Sequence, residues 1–238
     1  MEDHMQEFEG RHVVITGGCG ALGSAAVELL LGRGAVCHVP AFNEREAEAF
    51  DHRGHERIDL AVGLDLTDES AVQDYYADLP ALYASLHIAG GFAMDPIAKT
   101  SLEDFRRMLD MNLTTCFLCC REAVKKIRAG GGKEGGRIVN VSAKPALTPA
   151  GGMLAYTTSK AGVASLTQCL AEEVRDERIW VNAVVPSIMD TPANREAMPD
   201  ADHAKWPGVD DVARTIVFLA SPQNHATRGA LVPVYGQS

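Results

Sequence analysis

The chain has 238 residues, a length that suits one α/β domain. Basic residues number 22 against 32 acidic ones, and the net charge of −10 excludes the broad basic surface that sequence-independent nucleic-acid binding needs. Hydrophobic residues at 46% and charged residues at 23% exclude a disordered chain. The 6 cysteines are too few for a disulfide scaffold. No apolar run approaches the ~20 residues of a membrane helix. The acidic start MEDHMQEFEG has neither the cationic nor the apolar region of a secretory signal. The expectation is a soluble, cytoplasmic protein with no membrane or nucleic-acid partner.

In chain order, short apolar runs at His12–Thr16, Ala35–Pro40, Arg57–Val62, Ser85–Ala89, Gly136–Ser142, Ile179–Val185 and Ala230–Val234 read as strands. Ala21–Gly32 carries Leu22, Ala25, Ala26, Leu29 and Leu30 on one helical stripe. Longer helical patterns cover 102–129 and 153–176, and Val209–Ala220 turns Val212, Ile216 and Leu219 to one side. The acid-rich stretches Glu44–Glu48 and Glu172–Glu177 read as solvated helix faces. The Gly-rich AGGGKEGGR of Ala129–Arg137 reads as a helix-to-strand turn, because the alternation resumes at once. Strands that alternate with helices along the whole chain predict an α/β fold, a single Rossmann-like, doubly wound parallel sheet with helices on both faces.

The first strand runs into Thr16-Gly17-Gly18-Cys19-Gly20-Ala21-Leu22-Gly23 and then a helix. Gly18, Gly20 and Gly23 fit G-x-G-x-x-G with the strand before it and the helix after it. Glycines let backbone approach a pyrophosphate, and the helix N-terminus offers free N–H groups and partial positive charge. Gly17, Cys19, Gly20 and Leu22 are therefore expected at a dinucleotide. After the second strand, Ala41 stands where an acid would hold the ribose of NAD. Arg45 lies a little further on. NAD and NADP both stay open, with a slight lean to NADP. Asp65, followed by Leu66, either accepts from the adenine amino group or serves as a helix-start acid.

Tyr156 and Lys160 stand at i, i+4 on one helix face. An ammonium there favours the phenolate and lowers the tyrosine pKa, which suits a general acid/base acting at an alcohol oxygen.

Together these residues resemble the short-chain dehydrogenase/reductase family, over nearly the whole chain from Arg11 to Gly236. TGGCGALG is similar to the family's first turn, with Ala21 in one glycine column. His87-Ile88-Ala89-Gly90 takes the place of N-N-A-G below the cofactor, without either asparagine, and puts Ala89 and Gly90 at the nucleotide. Asn112, in Met111-Asn112-Leu113, matches the asparagine that holds a relay water against the lysine. Val181-Asn182-Ala183-Val184-Val185-Pro186-Ser187-Ile188 is similar to the segment whose last residue binds the nicotinamide carboxamide, which implies roles for Ile188 and Thr191. The resemblance implies seven strands, NAD or NADP as cofactor, a catalytic set of Tyr156, Lys160 and Asn112, and a homodimer or homotetramer joined through the 102–129 and 153–176 helices. Lys160 would also hold the nicotinamide ribose.

One family feature is absent. Ala143 stands where the family carries the serine that polarises a substrate carbonyl. Its neighbour Ser142 points to the opposite face unless the strand end twists. Alanine at this place, Ala89-Gly90-Gly91-Phe92, Ala143-Lys144-Pro145-Ala146-Leu147 with Gly152-Met153, and Asp190-Thr191-Pro192-Ala193-Asn194-Arg195-Glu196-Ala197-Met198-Pro199-Asp200-Ala201-Asp202 resemble the dihydropteridine reductases of the same family. That resemblance implies a lid over about 191–206 and a small conjugated carbonyl or imine substrate. The rivals are an ordinary ketoreductase that uses Ser142 or a water, and a nucleotide-sensing interaction protein.

Cys116, Cys119 and Cys120 lie mid-helix without a second Cys pair, which predicts packing rather than metal binding. No histidine spacing suggests a metal. His38 reads as a satisfied strand residue, His87 as part of the cofactor floor and Trp206 as a residue that packs the lid.

Overall fold

The computed structural model describes residues 6–130 and 135–238. The centre of the Gly-rich turn and the extreme N-terminus fall outside the described residues.

Seven strands form one parallel sheet in the order β3-β2-β1-β4-β5-β6-β7. They are β1 (His12–Thr16), β2 (Val36–Ala41), β3 (Ile58–Val62), β4 (Ala84–His87), β5 (Gly136–Val141), β6 (Ile179–Pro186) and β7 (Leu231–Val234). The order reverses between β1 and β4, the crevice where doubly wound sheets bind ligands. Along each strand, side chains alternate between two cores. Val13, Ile15, Val139 and Val184 join a core with Leu22, Ala26 and Leu30 of α1 (Ala21–Leu31) and Val212, Ile216 and Val217 of α9 (Val209–Ala220). Val14, Ile138 and Val181 join the other core, with Val72 and Tyr76 of α3 (Glu69–Asp78), Leu118 and Ile127 of α5 (Thr115–Ala129) and Val163 of α7 (Leu154–Glu173). Both faces of the central strands are covered, and this is why those strands are mostly apolar.

Short helices complete the chain: α2 (Glu44–Glu48), α6 (Lys144–Leu147) and α8 (Pro192–Ala197). The stretch Glu44–Glu48 is indeed a solvated helix, capped by Asn43, whose Oδ1 accepts from Glu46 N at 3.0 Å. Helix α3 was not singled out by the apolar pattern. Asp68 starts it, accepting from the backbone of Ser70 and Ala71. No helix among the described residues is long and apolar enough to cross a membrane.

Two sequence expectations need correction. The expected single helix over 102–129 is α4 (Leu102–Leu109), a π-turn over Asp110–Thr114 and then α5. The π-turn centres on Asn112, whose side-chain amide donates to Met108 O, the carbonyl one turn back, and also reaches Gly91. Widened turns of this kind gather at functional sites. The strand expected over Ser85–Ala89 ends at His87, because the N–H groups of Ile88 and Ala89 turn to Thr16 Oγ1, at 3.1 and 3.2 Å.

Candidate active site

The first turn is shaped by two glycines. Gly17 has φ +67°, and a Cβ on it would lie 2.8 Å from Ala89 N, so the β1 turn can press against the end of β4 only with glycine here. A Cβ on Gly23 would lie 2.0 Å from Gly17 O, which closes the turn onto α1. Gly20 caps α1 without a side-chain hydrogen bond, and no acid lies in the first turn. The first-turn N–H groups therefore have no side-chain cap or acid of their own helix to compete with an anion, and the nearby carboxylate is Glu46 of α2. Cys19 lies half-buried in this turn, its thiol pushed up to about 11 by burial and by the Glu46 carboxylate. Leu22 is buried and packs into the α1 core, so only its backbone can serve a ligand.

At the other end of the crevice, Ala41 is fully buried and carries no acid. The Glu46 carboxylate accepts from Phe42 N at 3.0 Å, and Arg45 is exposed beside it. Asp65 is exposed and does not start a helix: its Oδ1 accepts from Thr67 N at 2.8 Å and Thr67 Oγ1 at 2.7 Å. The helix-start acid is Asp68. Leu66 packs, partly buried, against the α3 core.

The three expected catalytic residues come from two elements, Asn112 from the π-turn and Tyr156 and Lys160 from α7. Asn112 is buried in the π-turn. Its Oδ1 accepts from Gly91 N at 3.0 Å, and its Nδ2 donates to Gly91 O at 3.0 Å and Met108 O at 3.2 Å. A Cβ on Gly90 would lie 2.4 Å from Asn112 Oδ1 and 3.3 Å from Lys160 Nζ, so the Ala89–Gly91 loop, Asn112 and Lys160 meet at one point. Lys160, fully enclosed on α7, donates from Nζ to Val141 O at 2.9 Å. Burial lowers its pKa to about 8. Tyr156, one turn earlier, meets the ring of Phe92 edge-on at 4.9 Å.

The expected effect of Lys160 on Tyr156 is absent from this structure. Burial drives the phenol up to about 12, and no hydrogen bond joins it to Lys160 among the described residues. The ammonium is turned toward the end of β5 instead, so desolvation dominates over attraction. Ser142 keeps to the other side of the strand from Ala143, as its place next to Ala143 implies. It is buried and donates to Lys160 O at 2.8 Å, on the strand side of the lysine. Thr191 is the N-cap of α8 and accepts from Asn194 N at 3.2 Å, while Ile188 is exposed. Trp206 packs against His203, with ring centroids 4.6 Å apart. Arg195 forms a bidentate pair with Asp190 at 2.5 and 2.7 Å, which fixes the start of the 191–206 segment.

Below the Ala89–Gly90 loop runs a buried polar chain that the sequence reading did not assemble. Tyr76 OH, Ser85 Oγ and His87 Nε2 are linked at 2.8 Å each. His87 Nδ1 meets Asn140 Oδ1 at 2.8 Å, and Asn140 Nδ2 donates to Thr167 Oγ1 at 2.9 Å, which donates to Val163 O at 2.7 Å. Because Asn140 Nδ2 donates, its Oδ1 must accept, so His87 carries its proton on Nδ1 and receives one from Ser85. Its signal was hidden, since Ser85 and His87 alternate on β4 while their partners lie on other elements. His38 is satisfied as expected: its ring bonds Asp59 Oδ2 and His12 Nδ1, at 2.8 Å each.

Residues 11–202 match the model of the short chain dehydrogenase family. The chain is 31% identical over 249 residues to the cis-4-hydroxycyclohexanecarboxylate dehydrogenase of Sinomonas cyclohexanicum, covering 97% of each chain. It is 31% identical over 253 residues to the galactitol 2-dehydrogenase of Rhizobium johnstonii, covering 97% of this chain and 96% of that one. A solved short chain dehydrogenase/reductase family protein superposes with a TM-score of 0.88 at 26% identity, over 97% of this chain and 98% of that one. The chain is thus an oxidoreductase that belongs to the short-chain dehydrogenase/reductase family.

Proposed function

We propose that this protein is a nicotinamide-dependent reductase of a small, flat, conjugated carbonyl or imine, a quinonoid dihydropterin being the type of substrate meant. The observation that carries the proposal is the loss of a hydroxyl at the β5 end. Ala143 has none, and the hydroxyl of Ser142 is committed to Lys160 O. A simple ketone would lack the second donor to its developing oxyanion, whereas an electron-poor conjugated C=N group does not need one.

The uncapped start of α1 fits the pyrophosphate of a dinucleotide. When bound, the nicotinamide supplies the hydride. Tyr156, neutral because burial raises its pKa, donates its proton to the substrate nitrogen or oxygen. Lys160 lies behind it and holds the ribose. Asn112 fixes the Ala89–Gly91 loop and positions the water that returns the proton. Ile188 and Thr191 border the carboxamide, and Asp65 and Leu66 border the adenine. NADPH is the preferred form, because β2 ends on Ala41 with Arg45 exposed beyond it; Glu46 keeps the preference small. Phe92, Met94, Leu147 and Ile188 are all exposed and give the mouth an apolar rim suited to a ring system. Residues 191–206 form the lid, weighted by Trp206. The working form is a homodimer or homotetramer through the 102–129 and 153–176 regions, acting in the cytoplasm.

The test is nucleotide oxidation with quinonoid dihydropterin and with a simple ketone, run on the wild type and on Ala143→Ser. The wild type should turn over the pterin, faster with NADPH. The serine should raise ketone turnover by about 10²-fold and leave the pterin rate nearly unchanged. Ketone turnover in the wild type without pterin turnover would favour a ketoreductase. Tight nucleotide binding with no turnover would favour a sensor.

A further inference from the structure

The cysteines on α5 acquire a partner that the sequence spacing could not supply. Cys116 and Cys120 lie one turn apart on the same helix face, and His87 of β4 stands opposite them. One donor atom from each lies within 4.8 Å of the others, and all three residues are buried. His87 Nδ1 is 3.3 Å from Cys120 Sγ, close to the S···N edge of about 3.5 Å in a tetrahedral zinc site. Asn140 Oδ1 lies 3.5 Å from Cys120 Sγ and 2.8 Å from His87 Nδ1, so a fourth, oxygen donor is already at hand.

We propose that His87, Cys116 and Cys120, completed by Asn140 Oδ1, form a binding site for a thiophilic divalent cation such as zinc, directly beneath the loop that floors the cofactor crevice.

Three features support a site of this kind over plain packing. Two thiolates and a neutral imidazole around a divalent ion sum to zero charge, which a fully buried site requires. Both thiols give up their protons to solvent as the ion enters. The imidazole can present Nδ1 to the ion only by moving its proton to Nε2. Nε2 faces Ser85 Oγ at 2.8 Å, and Ser85 faces Tyr76 OH at 2.8 Å. Each hydroxyl can serve as donor or acceptor, so the whole row reverses without moving a heavy atom. The reversed row makes Ser85 the orienting partner of a metal-bound histidine. The reading that these cysteines lack a further ligand therefore changes once the fold brings β4 to α5, because the third donor is far away in sequence.

The decisive measurement refolds the protein from urea with one equivalent of Co²⁺ or Zn²⁺, so that burial does not block entry. With Co²⁺ the wild type should develop the near-ultraviolet thiolate-to-metal charge-transfer band. With Zn²⁺ it should retain one ion per chain through gel filtration and melt at a higher temperature. Cys116→Ser and Cys120→Ser should each lose the band and release zinc to a competing chelator about 100-fold more readily. Cys169→Ser, at an exposed position, should behave as the wild type. Nucleotide binding confirms that each variant is folded; if Cys116→Ser does not fold, His87→Gln takes its place. A wild type without a band or retained zinc would overturn the site, and so would a band that survives both serine variants or disappears in Cys169→Ser.

Discussion

Two buried polar groups of residues meet near the end of β4, and they are completed to opposite degrees. In the chain from Tyr76 through Ser85, His87, Asn140 and Thr167, every side chain finds a partner at 2.7–2.9 Å. Around Tyr156 the accounts stay open. The phenol has no hydrogen-bond partner among the described residues, and the enclosed Lys160 ammonium has one recorded bond, to a backbone carbonyl. Buried polar groups are normally satisfied, so the closed chain holds the fold with or without an ion beside it, while the open group at Tyr156 leaves bonds for a ligand to complete. Substitutions should separate the two: the open group should lose activity while keeping stability, and the closed chain the reverse.

The largest effect expected is that of Tyr156→Phe. It removes the proposed proton donor and nothing that the fold uses, since its ring can keep the edge contact with Phe92. Turnover should fall by about 10²–10⁴-fold, with the melting temperature and nucleotide affinity unchanged. Steady-state rates and a nucleotide titration measure both. A fall in stability instead would break the contrast.

Lys160→Met sharpens it further, because the lysine should cost the fold stability. Its pKa falls from 10.5 to about 8 on folding, so between those values the unfolded chain binds more protons than the native one. Stability therefore rises with pH across that window, and the full penalty applies below pH 8. A shift of this size corresponds to at most about 3 kcal/mol, and the lost bond to Val141 O offsets part of it. Lys160→Met should be more stable than the wild type at pH 7 by about 1–3 kcal/mol and should lose that advantage near pH 10. Urea unfolding at the two pH values measures it. The same variant should be nearly inactive.

Asn140→Ala tests the other side. It leaves the His87 Nδ1 proton without its acceptor and Thr167 without its donor, in a place closed to water. The expected loss is about 2–3 kcal/mol of stability, with the specific activity of the folded fraction retained. Calorimetry and active-site titration read the two quantities separately.

The contrast also explains what the sequence revealed. The first turn, the strand–helix alternation and the Tyr156/Lys160 spacing are local signals, each carried by residues within one turn of each other. Val209–Ala220 was legible to the residue for the same reason, its apolar side being uninterrupted. What was hidden depends on residues far apart in the chain. The π-turn holds Asn112, whose amide reaches the Ala89–Gly91 loop. The polar chain joins two strands and two helices at positions where each residue alone looks like ordinary core. The direction of Lys160 was hidden too, since i, i+4 spacing places two side chains on one face but does not decide which acceptor the ammonium chooses.

The smallest effect separates turn geometry from ligand contact at Asp65. Its carboxylate already receives two bonds from Thr67, on an exposed turn after β3. Asp65→Ala removes both bonds and any contact with adenine, whereas Thr67→Val removes only the hydroxyl bond. If the acid accepts from the adenine amino group, Asp65→Ala should weaken nucleotide binding by about fivefold, near 1 kcal/mol. Thr67→Val should then bind as the wild type does, with stability down by only about 0.5 kcal/mol. Equal weakening in both variants would mean that Asp65 acts by shaping the turn. The residue would then belong with Asp68 and Asn43, which start helices, and not with the groups that meet the nucleotide.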